Sequence, residues 1–140
     1  MGKTYDRLDD KLVKFIKAQK MYFVGSAPLQ GDGHVNLSPK GYDSFVILDD
    51  KTVAYLDIGG SGIETHAHVL ENGRVTLMFC GFEGKANILR LYGKGEVYDF
   101  DHPEFADYIK LFPDFAVITL FRFLQHFKVL VQIFLFGERN

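Results

Sequence analysis

The sequence predicts a mainly β domain with flanking helices, and three observations carry that prediction. Short runs rich in Val, Ile, Phe and Tyr recur along the chain, glycine-bearing turns separate them, and helical spacing is confined to brief segments. One hundred and forty residues suit a single domain, 1–140, with one core. An apolar fraction of 47% excludes a disordered chain. A formal net charge of -2 with no basic cluster argues against a nucleic-acid binder. Cys80 is the one cysteine, so no internal disulfide and no thiolate metal cage is available. MGKTYDRLDDKLVKF lacks the apolar core of a secretory signal, and the expected home is cytoplasmic.

Taken in order, the elements begin with an amphipathic helix. Leu8, Leu12, Phe15 and Ile16 share one face, with Asp9, Asp10, Lys11, Lys14 and Lys17 opposite. MYFVGSA (21–27) then reads as a strand, and QGDGH (30–34) supplies the glycines for a hairpin into HVNLS (34–38). FVIL (45–48) and TVAYLD (52–57) form a second hairpin around Asp49, Asp50 and Lys51. ETHAHVLE (64–71) predicts a short helix stopped near Asn72 and Gly73. RVTLMFC (74–80) and KANILRLYGKGEVYDF (85–100) are the longest strand candidates, turning at FEG (82–84). EFADYIKLF (104–112) is helical again and ends at Pro113. These strands describe an antiparallel meander able to curl into a barrel.

The tail, 116–136, is apolar at odd positions such as Phe121, Val129 and Ile133 and at even ones such as Leu124, Leu130 and Phe134. Arg122, Gln125, His126, Lys128 and Gln132 interrupt it too often for a membrane span of roughly 20 apolar residues. It predicts a buried strand or an interface element.

Three constellations hold the candidate chemistry. In HVNLSPKG (34–41), Asn36, Ser38 and Lys40 offer amide, hydroxyl and ammonium donors at a strand end. In GGSGIETHAHV (59–69), the glycines, among them Gly62, allow close backbone approach. Ser61 and Thr65 there add hydroxyls beside the unpaired amides of a helix start, an arrangement that suits an anion. A helix cap explains either hydroxyl equally well. His66 and His68, two apart on a helix, point about 200° from one another, which disfavours a shared metal. In ILRLYGKGEV (88–97), alternation sets Leu89, Leu91 and Gly93 on one face and Ile88, Arg90 and Tyr92 on the other. Arg90 there calls for a ligand, a neighbouring chain, or an ion pair with Glu64 or Asp57. Cys80 reads as a small core residue.

Together, and in this order, HVNLSPKG, YLDIGGSGIETHAHVLENGRVTLMF and ILRLYGKGEV resemble the pyridoxamine 5′-phosphate oxidase-like family of FMN-binding split β-barrels, over about residues 8–115. The resemblance implies an FMN cofactor held by Asn36, Ser38, Lys40, Ser61, Gly62, Thr65, His66 and Arg90. It also implies a homodimer with the flavin at the subunit interface and oxidoreductase chemistry on a small substrate. Two departures set the chain beside the related proteins of that family and apart from the vitamin-producing oxidase. Gly62, Ile63 and Glu64 follow Ser61 where the oxidases carry a basic clamp, and no Trp is present for their substrate-gripping motif. Residues 116–140 form an atypical apolar tail, which implies an altered or truncated C-terminus. No acid-base catalyst is assigned. A non-catalytic flavin or haem-type binder and a partner-docking module are the alternatives.

Overall fold

The computed structural model describes residues 3–58, 62–112 and 127–133. Its elements in chain order are α1 (Asp10–Ala18), β1 (Met21–Ser26), β2 (Asn36–Gly41), β3 (Phe45–Ile47), β4 (Thr52–Ile58), α2 (Gly62–Asn72), β5 (Arg74–Cys80), β6 (Ile88–Asp99), α3 (Phe105–Ile109) and β7 (Phe127–Ile133). All seven strands pair antiparallel in one sheet of order β2-β1-β5-β6-β7-β4-β3. The mainly β architecture expected from the alternating runs is present, with small shifts of boundary. The strand after the first hairpin starts at Asn36, the long strand at Ile88, and the third helix spans only Phe105–Ile109.

Helix α1 starts where the Asp9 side chain accepts the Leu12 N–H at 2.8 Å, leaving Leu12 and Ile16 to pack inward. Their partners include Val24, Leu77, Leu91, Val53 and Tyr55, drawn from both wings of the sheet. One core touched by β1 and β4 together requires the sheet to wrap around it. A second cluster lies on the opposite face of β4, where Ala54 and Leu56 pack beneath Phe105 and Phe112. The result is a split barrel whose two edge strands, β2 and β3, are joined by the tight turn at Tyr42 and Asp43 but share no ladder.

The tail supplies a strand in the interior of the sheet. β7 pairs with β6 on one side, Val97 opposite Leu130, and with β4 on the other, Tyr55 opposite Leu130. The rest of the tail lies outside the described residues. Among the described residues, no helix is long and apolar enough to cross a membrane.

Candidate functional site

Period-two alternation decides which polar side chains meet inside the barrel. Tyr22, Val24 and Ser26 of β1 point inward, and the register places Lys40, Ser38 and Asn36 of β2 opposite them in that order. Helix α2 covers the Ser26–Asn36 end. There, Asn36 Nδ2 donates to Thr65 Oγ1 at 2.8 Å and to Ser38 Oγ at 3.0 Å. Ser26 Oγ donates to Thr65 Oγ1 at 3.3 Å and lies 2.9 Å from His68 Nδ1. Thr65 is wholly buried and Ser38 nearly so. Three elements are thereby tied by neutral hydrogen bonds whose worth rises with burial.

Helix α2 ends as its sequence predicts, with Gly73 at φ +71 donating its N–H to Val69 O at 2.9 Å. Asn72 Nδ2 donates to Ala27 O at 2.9 Å, anchoring that end to the exit of β1.

At the other end of β2 the chemistry is charged. Lys40 Nζ reaches Asp57 Oδ1 of β4 at 2.7 Å, with 11% and 3% of the two side chains exposed. The same ammonium lies 6.0 Å from the centre of the Tyr55 ring. Tyr22 and Ser44 hydroxyls are 2.9 Å apart close by. The Tyr55 hydroxyl is buried without a hydrogen-bond partner among the described residues. Burial, reinforced by Asp57, pushes the Tyr55 phenol well above its ordinary value, so it stays neutral. These contacts span the gap between the β1/β2 wing and the β3/β4 wing, and the Leu56 N–H donates to Ser44 O at 2.7 Å along the same seam.

A hollow of about 740 Å³ opens at that seam, bounded by Lys20, Met21, Lys40, Tyr42, Ser44 and Leu56. Its size falls within the range of small-molecule sites, roughly 300–1,000 Å³. Its wall combines apolar Met21 and Leu56 with the cationic Lys20 and Lys40. Gly41 permits the close fit of this corner, because a Cβ there would stand 2.9 Å from the Lys20 carbonyl oxygen. A smaller hollow of about 330 Å³, lined by Lys17, Tyr22 and Phe45, backs onto the same turn.

The residues singled out from sequence thus fall into separate places. Asn36, Ser38 and Thr65 come together but bond to one another, and Lys40 is committed to Asp57. His66 is buried with Nε2 3.7 Å from Asp99 Oδ1, while His68 turns to Ser26, so the two imidazoles face different partners. Gly62 opens α2, and Ser61 with Gly59 and Gly60 lies outside the described residues. Arg90 is exposed on the outer face of β6, across from Met78, and makes no ion pair with Glu64 or Asp57. Of the alternatives open to Arg90, the ion pair with Asp57 is not formed: alternation turns Arg90 away from the core, and Lys40 occupies Asp57. Cys80 is half-buried on that same outer face instead of in the core. Sequence reasoning passed over Ser26, Lys20, Tyr22 and Tyr42. Ser26 was accessible to the alternation of Tyr22 and Val24, whereas Lys20 and Tyr42 are joined only by the fold.

A family model described as pyridoxamine 5′-phosphate oxidase matches residues 8–120. The pyridoxamine 5′-phosphate oxidase family protein ustO of Aspergillus flavus is 44% identical over 108 residues, which cover 76% of this chain and 43% of that protein. The chain therefore spans less than half the length of that curated relative. Among solved structures, the heme storage protein HutZ of Vibrio cholerae matches with a TM-score of 0.64 at 20% identity, over 96% of this chain and 92% of the other. An FMN-binding protein of Syntrophomonas wolfei matches with a TM-score of 0.55 at 17% identity, over 86% and 79%. At such identities the structural likeness is one of fold.

Proposed function

The chain belongs to the pyridoxamine 5′-phosphate oxidase family, and on that premise we propose that it binds a flavin, FMN, in the seam hollow and acts as an oxidoreductase on a small substrate. The observation that carries this reading is the hollow itself, with apolar walls for a flat ring and two lysines for a phosphate. Lys20 is exposed and has no ion pair among the described residues, so it is the freer cation. Lys40 brings hydrogen-bond donors whose charge is opposed by Asp57. The two lysines and the apolar wall fit FMN, although Glu64 stands in the first turn of α2 where a phosphate would prefer a base.

Bound there, the flavin would supply the redox chemistry. The protein's share is placement. Asn36, Ser38 and Thr65 act one layer behind, holding β2 against α2 so that Lys40 and Gly41 keep their position at the rim. Gly62 and His66 set the start of α2 beside them, with Ser61 in the connection before it. Arg90 faces outward on a surface that also exposes Leu37, Ile88 and Tyr92. That apolar surface supports a homodimer, in which Arg90 would approach the flavin of the second copy. The scarcity of cysteine supports a reducing, cytoplasmic setting.

The visible spectrum of the purified full chain tests the proposal. A yellow protein, or one that takes up added FMN with one flavin per chain, is expected. A Soret band with no flavin would favour the haem chemistry of HutZ, and a protein that remains colourless with added FMN would overturn the reading.

A further inference from the structure

The turn between β2 and β3 holds two consecutive non-glycine residues in left-handed backbone, Tyr42 at φ +58 and Asp43 at φ +55. Ser44 N–H closes the turn on Gly41 O at 3.3 Å. Tight turns with both central residues left-handed favour Asn-Gly or Gly-Gly, because a Cβ is disfavoured there. Asp tolerates that region, whereas a bulky aromatic is an outlier whose strain must be held by the surrounding structure. Packing does not explain the choice, since Tyr42 is 80% exposed and makes no ring contact or side-chain hydrogen bond among the described residues. Its position does offer an explanation. Tyr42 stands on the rim of the seam hollow, beside Lys20, Lys40 and Leu56.

We infer that Tyr42 is the stacking platform of the seam site, a specificity-determining residue that lies against one face of a bound flavin ring. The inference deepens the flavin reading and rests on it. The strained turn fixes the backbone beneath the ring, so the Tyr42 side chain is presented to the hollow with less freedom to lose on binding. An aromatic face against a flat conjugated ligand gains dispersion and offset stacking while demanding no hydrogen bond. Lys20, at the same rim, would then meet the anionic end of the ligand.

Tyr42→Asn and Tyr42→Phe in the full chain separate the two properties of this residue. Asn accepts left-handed backbone and removes the ring, whereas Phe keeps the ring and the strain. Tyr42→Asn is expected to raise the melting temperature of the ligand-free protein by about 2–6 °C. It should also weaken FMN binding about tenfold and restore fluorescence to the bound flavin, which a stacked tyrosine quenches. Tyr42→Phe should bind within about threefold of wild type. A folded Tyr42→Asn protein with unchanged affinity and unchanged bound-flavin fluorescence would overturn the platform while leaving the flavin site standing. Failure of the wild type to bind FMN would overturn the flavin reading itself, and the platform with it. A change of mass by light scattering in Tyr42→Asn, without change in affinity per chain, would reassign Tyr42 to a subunit contact and also reject the inference.

Discussion

The Ser26–Asn36–Ser38–Thr65–His68 cluster and the Lys40–Asp57–Tyr55 cluster both sit on the concave face of the sheet, but they hold it together by different physics. The first holds no carboxylate or ammonium, joins a helix to two strands, and places each donor on a neighbour. The second is charged, spans the seam between the wings, and leaves one phenol hydroxyl without a partner among the described residues. Neutral bonds are worth little net but are hard to lose one at a time, because a buried partner is left unmet. A buried ion pair carries a larger version of the same asymmetry. The seam is therefore the more fragile join, and it is also where the hollow opens.

The sharpest way to break this comparison is at Asp57. Asp57→Ala leaves the Lys40 ammonium nearly buried without its carboxylate, and a loss of about 3–5 kcal/mol in urea-unfolding stability is expected. Replacing both partners by apolar residues, Lys40→Met with Asp57→Leu, should recover most of that loss. A double variant as unstable as the single one would show that the pair does more than satisfy itself.

Thr65→Val tests the neutral cluster with nearly the same side-chain volume. It removes the acceptor shared by Asn36 and Ser26, and a loss of about 1–3 kcal/mol by the same measurement is expected. If this substitution proved more damaging than Asp57→Ala, the ranking of the two clusters would be reversed.

Tyr55→Phe should have the smallest effect, under about 1 kcal/mol and toward greater stability, because it deletes a buried hydroxyl that has no bond to lose. A loss of a full 1–3 kcal/mol would instead reveal a bond to an internal water, and the seam would then be as well satisfied as the helix junction.

What the sequence discloses of these two regions follows from how far each contact reaches along the chain. Strand alternation brings Asn36 and Ser38 to one face, and the glycine after Asn72 ends the helix that carries Thr65. The neutral cluster was therefore half legible from local pattern. The Lys40–Asp57 pair was not, because nothing in NLSPKG or TVAYLDI says that β2 and β4 confront one another across an open seam. Arg90 was a reasonable rival for Asp57 until the sheet order set it on the other face. The tail was legible in kind, as a strand over part of its length, but its place between β6 and β4 depends on pairings that no apolar pattern encodes. The seam hollow was illegible for the same reason, being assembled from the entry to β1, the end of β2, the β2–β3 turn and Leu56 of β4.

The position of β7 also bears on how the protein comes off the ribosome. Every other described strand has been synthesised by residue 99, yet the ladder linking β6 to β4 waits for residues 127–133. Until then β4 and β6 each present an unpaired edge to solvent or to other nascent chains. Joining them requires contacts between segments some seventy residues apart, the sequence-distant kind that slows folding. The half-made sheet is thus the interval in which this chain is most open to capture by chaperones or by its own copies, and it ends only when the last described strand slides between two that have been waiting for it.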